Sequence, residues 1–164
     1  MTTSPEGDDM DTEAEAGIYA LESAYLDRCV QVGVASGRVL SVSFPDVPDE
    51  DAADDLPLLD RIRAYLEGAE DDFTDVDVAL TMPTDQREVL EAVRGIPYGS
   101  QVTVSKLASL VATLDSDDDG DIQLVRTALA ENPAPIVIPD HRVRDGPSAA
   151  PPDVEQRLRS LEGL

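Results

Sequence analysis

The chain predicts an α+β protein in two parts, a small α/β unit over residues 17–81 followed by a helical unit over residues 82–164. Two periodicities carry this division. Between Gly17 and Phe44 the apolar residues alternate with a period of two, which suits strands with one buried face. Beyond Met82 they recur at three and four residues, which suits helices with one buried stripe. The change falls at Met82-Pro83-Thr84-Asp85, and the boundary is placed there. With 164 residues the chain can bury a full core as one domain or as two small ones.

Residues 1–16 are acidic and polar without a periodic apolar residue, so a disordered tail is expected. Cys29-Val30-Gln31-Val32-Gly33-Val34 and Val39-Leu40-Ser41-Val42-Ser43-Phe44 both alternate around Ala35-Ser36-Gly37, which predicts a hairpin. An acidic, proline-containing link from Pro45 to Pro57 leads to Leu58–Leu66, whose spacing predicts an amphipathic helix ending near Gly68. Val76–Leu80 predicts one further strand.

In the second part, Asp85 and Glu88 predict a capping box on a helix that buries Val89, Leu90 and Val93 and stops at Gly95. Thr103 is expected to cap a second helix carrying Leu107, Leu110 and Val111, and a third runs from about Ile122 to Glu131. Three short helices followed by an extended segment are compatible with a helix-turn-helix of the winged type. The acidic run Asp115–Asp121 has the opening of a calcium loop, but the twelfth position, which should supply a bidentate glutamate, is Arg126. It reads as a solvated acidic insertion.

The chain carries 35 acids against 12 bases, a formal net charge of −23, and its single lysine is Lys106. Such a balance ordinarily argues against nucleic acid, because phosphate binding needs a basic footprint. In a cytoplasm of near-molar salt, however, the Debye length falls to roughly 3 Å and self-repulsion is screened. The acidic surface and scarcity of lysine resemble halophilic archaeal proteins, and the charge reads as adaptation to solvent. One cysteine, Cys29, allows neither an intramolecular disulfide nor a cysteine metal cluster, and it reads as a small apolar residue on a strand. With a polar N-terminus and no apolar run of membrane length, a soluble cytoplasmic protein is expected.

The most chemically pointed stretch is Asn132-Pro133-Ala134-Pro135-Ile136-Val137-Ile138-Pro139-Asp140-His141-Arg142-Val143, which holds the only histidine. Its prolines fence off Ile136-Val137-Ile138, predicting a short buried extended segment that delivers Asp140 and His141 to one place. This stretch resembles the active-site signature of the O6-alkylguanine-DNA alkyltransferases, in which Pro-Cys-His-Arg stands where this chain has Pro139-Asp140-His141-Arg142. Gln86–Leu90 with Ile96-Pro97-Tyr98-Gly99 is similar to the family's first helix and turn, and Ser160-Leu161-Glu162-Gly163 to its C-terminal helix. The resemblance covers about half the chain, from Pro83 to Leu164.

The resemblance implies a ribonuclease-H-like N-terminal domain and a winged-helix DNA-binding domain. It also implies a reaction in which a flipped O6-alkylguanine loses its alkyl group to a cysteine thiolate, activated through a histidine oriented by a glutamate. Carried over, Asn132, His141 and Glu162 keep the family's residue types, and the acceptor position is Asp140. The family's arginine that fills the vacated stack aligns with Gln123, and the tyrosine at the flipped nucleotide's phosphate aligns with Val104. Arg126, Arg142 and Lys106 are the further DNA-contact candidates, and Arg87, Arg94 and Arg144 would complete a footprint of six bases. The loop after Arg142 is short and lacks the family's pocket tyrosine.

The expected function is recognition of O6-alkylguanine in double-stranded DNA by a monomer that recruits other repair proteins, without classical methyl transfer. No cofactor is implied, and a metal at Asp140-His141-Glu162 is disfavoured by the lone imidazole. Two alternatives stand beside this expectation. One is an active methyltransferase, and the other is a degenerate relative that keeps the fold as a protein-interaction module.

Overall fold

The structure is a computed structural model that describes residues 16–164. The expected acidic tail therefore lies, but for Ala16, outside the described residues. Three strands form an antiparallel meander in the order β1-β2-β3, with β1 at Gly17–Ser23, β2 at Arg28–Ala35 and β3 at Arg38–Ser43. The β2–β3 turn is Ser36-Gly37, with φ of 55° and 76°; positive φ at both positions is what a two-residue hairpin turn matching strand twist requires. Leu21, Val30, Val32, Val42 and Phe44 are buried on one face, but the alternation breaks in β3: Leu40, in phase with Val42, is 45% exposed and Val39 is buried instead, because the β2–β3 register shifts between Gly33 and Val34.

Helix α1, Pro57–Leu66, begins with proline at its first turn, where the missing N–H costs nothing, and buries Leu59, Ile62, Tyr65 and Leu66. The expected strand over Val76–Leu80 is not one. It makes a single parallel bridge, in which Val39 donates to the Asp77 carbonyl and Ala79 to the Val39 carbonyl, each at 2.9 Å. On the opposite edge, Ala20 donates to Ala53 and Ala53 to Ile18, also at 2.9 Å. Irregular segments thus cover parts of both sheet edges and satisfy ladder groups there.

In the second half, α2 spans Thr84–Arg94, α3 Val104–Leu110, α4 Asp119–Ala130 and α5 Pro152–Glu162. Helix α4 packs against both α2 and α3. The expected capping box does not form, because the N-cap is Pro83 and Asp85 lies inside the first turn. There it accepts from the Gln86 amide, while Glu88 accepts from Thr113 instead. Thr103 caps α3 as expected, accepting from the Lys106 amide at 3.1 Å. Helix α4 starts earlier than its apolar periodicity suggests, because Asp118 caps it by accepting from the Asp121 amide at 3.0 Å. The acidic run is thus partly a helix start, and Asp121 in turn accepts from the Asp115 amide at 2.9 Å.

The Pro-fenced segment is a tight buried turn, not an extended strand. Ile138 donates to the Ala134 carbonyl at 2.8 Å, and Ile136 has φ of 79°, a costly conformation for a β-branched residue. The three prolines remove three ladder donors, so the segment closes on itself and is tied to β3 by Val42 donating to the Pro133 carbonyl at 2.9 Å. A 3-10 turn, Asp140–Arg142, follows at once. One apolar cluster includes Val42 and Ile62 with Leu90, Leu129, Ile138 and Leu158, so the sheet, helices and signature segment share a core. Among the described residues, no helix is long and apolar enough to cross a membrane.

Candidate active site

Two short elements bring the signature residues together. The 3-10 turn after Pro139 points Asp140, His141 and Arg142 into the interior, where they are 1%, 0% and 1% exposed. Helix α5 ends at Glu162 because Gly163 takes φ of 79°, the left-handed conformation that terminates helices, with Leu164 donating back to the Arg159 carbonyl at 2.9 Å. That places the Glu162 carboxylate beside His141.

Glu162 is saturated with donors. It accepts from His141 Nε2 at 2.8 Å, from Arg142 Nε and Nη2 at 2.9 and 3.0 Å, from the Gly99 amide at 3.0 Å and from the Tyr65 hydroxyl. Burial alone would raise its pKa, but the hydrogen bonds from His141 and Arg142 outweigh burial and hold it at about 2. An ionised carboxylate only accepts, so Nε2 of His141 carries the proton. In the neutral imidazole Nδ1 is then the basic end, and it is buried without a hydrogen-bond partner among the described residues. Arg159 fixes the backbone of the same residue by donating to the His141 carbonyl at 2.7 Å.

Asp140 sits in a different environment. Ser148 Oγ donates to its Oδ1 at 2.5 Å, and Asn132 Nδ2 and the Ala149 amide donate to its Oδ2 at 3.0 and 2.9 Å. All three donors are neutral. Burial is the largest influence and raises its pKa, and the three hydrogen bonds offset it only in part. Asn132 is itself held on both sides, with Nδ2 also donating to the Ile138 carbonyl at 2.9 Å and Oδ1 accepting from Ala134 at 3.0 Å. Glu155, half-buried on α5, is pushed up by burial and by the nearby charge of Asp140.

The expected constellation of Asn132, Asp140, His141 and Glu162 therefore lies in one buried place, split into an Asp140–Asn132 half and a His141–Glu162 half. Several participants carry no sequence signal. Tyr65 reads in the sequence as a core position of α1, yet its hydroxyl lies 3.2 Å from His141 Nε2 and donates to Glu162. Ser148 and Ala149 belong to the short loop, and Asp72 accepts from Arg142 at 3.0 Å.

The DNA-contact candidates divide differently. Gln123 is exposed on α4, Lys106 is exposed on α3, and Arg126 is partly exposed. Arg142 is committed to Glu162, to Asp72 and to the Ile96 carbonyl, the last at 2.7 Å, because Glu162 would otherwise be a buried charge without a cation. Val104 lies inside the fold. Its side chain is 2% exposed, since α3 turns it inward into the core cluster, so it presents no surface to a phosphate. Of the six bases expected to form a footprint, Arg94 is likewise spent internally, donating to the carbonyls of Phe73 and Val76 at 2.7 and 2.6 Å.

The sequence profile described as "6-O-methylguanine DNA methyltransferase, DNA binding domain" matches residues 84–156. The chain is 36% identical to the methylated-DNA--protein-cysteine methyltransferase of Methanopyrus kandleri over 103 residues, 62% of this chain and 73% of that protein. It is also 36% identical to the protein of the same name from Methanothermobacter thermautotrophicus over 113 residues, 65% of this chain, and spans 60% of that relative's length. The fold is similar to the O6-methylguanine methyltransferase of Mycobacterium tuberculosis, with a TM-score of 0.68 and 20% identity over 90% of each chain. It is also similar to the O6-methylguanine-DNA methyltransferase of Pyrococcus kodakaraensis, with a TM-score of 0.66 and 21% identity over 92% of this chain and 100% of that one. With the signature turn, the buried His141–Glu162 pair and these relatives in agreement, the chain belongs to the methylated-DNA--protein-cysteine methyltransferase family.

Proposed function

We propose that this chain is a DNA alkylation-repair protein of the alkyltransferase-like kind, which recognises O6-alkylguanine in duplex DNA and does not accept the alkyl group. One observation carries the reading: Asp140, which the family resemblance sets at the acceptor position, is buried and hydrogen-bonded by Asn132, Ser148 and Ala149. A carboxylate is a much poorer nucleophile toward saturated carbon than a thiolate, and both oxygens of this one already accept hydrogen bonds. The His141–Glu162 pair keeps the geometry of a base oriented by a carboxylate, with no thiol partner for the base. Cys29 does not stand in, because it lies on β2 with its sulfur 3.8 Å from the Asp46 carbonyl, and burial pushes its pKa up, away from the reactive thiolate.

In this reading residues 17–81 form the ribonuclease-H-like unit, and residues 82–164 form the winged-helix unit that meets DNA. The Mycobacterium tuberculosis relative of similar fold has been solved in complex with DNA. Gln123, Lys106 and Arg126 are the DNA-contact residues that remain accessible. Fluorescence anisotropy in near-molar potassium chloride tests the proposal, with tighter binding to duplexes carrying O6-methylguanine than to plain duplexes expected. Equal or absent binding would sink it. Incubation with DNA carrying a labelled methyl group should leave no label on the protein, and label on any residue would restore the enzyme reading. Asp140→Cys is expected to recover little transfer, because Gln123 still lacks the guanidinium that offsets base extrusion.

A second reading, a protein-interaction module, is favoured by the internal use of Arg94 and Arg142 and by the burial of Val104. Each loss removes a side chain that could have faced DNA. Absence of binding to any DNA would select it.

A further inference from the structure

Two of the three donors around Asp140 are oriented by further hydrogen bonds of their own. Asn132 is oriented by Ala134 and by the Ile138 carbonyl, and Ser148 Oγ is oriented by accepting from the Ala150 amide at 3.1 Å. Two of the donors come from the loop that follows Arg142, and the third comes from the segment before the turn. The near end of that loop has anchors of its own. Arg144 donates to the Val102 carbonyl at 2.9 Å, and the Val104 amide donates to Asp145 Oδ1 at 2.6 Å. At the far end, Ser148 Oγ and the Ala149 amide both donate to Asp140, so one carboxylate receives both polar groups.

We infer that Asn132, Ser148 and Ala149 make an internal carboxylate-binding site, and that Asp140 is its built-in ligand, latching the far end of the loop shut over the signature turn. This inference rests on reading Asp140 as standing at the family's acceptor position. It deepens that reading by giving the carboxylate a task, holding the loop closed with no DNA present. A carboxylate matches the site because its two oxygens can take three converging donors at once, one on Oδ1 and two on Oδ2, and a hydroxyl or an alkyl side chain cannot.

The latch is measured without DNA, so its failure leaves the lesion-binding proposal standing, and the failure of lesion binding leaves the latch standing. Amide hydrogen exchange is followed by mass spectrometry in potassium chloride for the wild-type chain and Asp140→Ala. Exchange at Ala149 and Ala150 should accelerate at least roughly tenfold in the variant, as expected for the loss of charge-assisted hydrogen bonds, with the amides of α4 unchanged. Replacing part of the chloride by formate should return the protection, because formate carries the missing carboxylate into the vacated space. Unchanged exchange in Asp140→Ala would overturn the latch, and loosening that formate does not reverse would overturn the carboxylate site. Should Asp140→Ala fail to fold, Ser148→Ala serves instead. It should speed exchange at Ala149 and Ala150 several-fold at an unchanged melting temperature, and identical exchange would overturn the proposal.

Discussion

Glu162 and Asp140 are both carboxylates in one buried site, and they are stabilised in opposite ways. Glu162 has a guanidinium, an imidazole, a phenol and a backbone amide, and its pKa is held at about 2. Asp140 has a hydroxyl, a carboxamide and a backbone amide, and its pKa is raised, with burial the largest cause. Neutral donors satisfy the lone pairs of a buried carboxylate without supplying the opposite charge that favours ionisation. One carboxylate therefore strengthens the fold when ionised, and the other is carried at a cost that its three hydrogen bonds offset only in part.

The comparison breaks most visibly at Arg142. Arg142→Met should destabilise the protein by about 3–5 kcal/mol, because it leaves the Glu162 carboxylate buried without its cation. Chemical denaturation in molar potassium chloride would measure this, and a loss below about 1 kcal/mol would mean that His141, Tyr65 and Gly99 suffice.

Acid should erode the Glu162 half next. Its folded pKa lies below the unfolded value of 4.5, at about 2, so its contribution is fully present above pH 4.5 and is lost as pH falls toward 2. A displacement of that size is worth on the order of 3 kcal/mol. Glu162→Gln should lower stability at neutral pH and flatten this acid limb, and denaturation midpoints against pH would test both.

Tyr65→Phe should cost about 1.5–3 kcal/mol, the worth of one hydrogen bond to an ionised group, since Glu162 keeps its other donors. The same denaturation assay ranks it below Arg142→Met, and a larger loss would make Tyr65 more than one donor among several.

The smallest expected effect has the opposite sign. A raised folded pKa means that Asp140 costs stability as pH rises above 3.8 and through the folded value, and costs nothing below 3.8. Asp140→Asn keeps the shape and can still donate to Ser148 Oγ, so it should be as stable as wild type at neutral pH or more stable, by up to about 1 kcal/mol. That advantage should vanish in acid. A clear loss at neutral pH would show that the charge of Asp140 stabilises the fold.

Much of this molecule is dictated locally. The period-two runs, the Ser36-Gly37 turn, the Thr103 cap and the stripe of Val89, Leu90 and Val93 are all short-range patterns, and each appears where the residues place it. Asn132, Asp140, His141 and Glu162 were legible as a constellation through the signature they share with a family, with three of them inside ten residues. Packing decided the rest. Tyr65 lies 76 residues from His141 and 97 from Glu162, and no spacing rule reaches so far. Arg142 could have faced a phosphate by residue type alone, but a buried carboxylate beside it had the stronger claim. The resemblance sets Val104 where the family has a tyrosine at the flipped nucleotide's phosphate, yet in α3 it is a core residue, and Ile136 has positive φ because three prolines left its segment no ladder to join. Local sequence sets which conformations and protonation states a residue can adopt, whereas burial and distant partners, which exist only once the chain has closed, select among them.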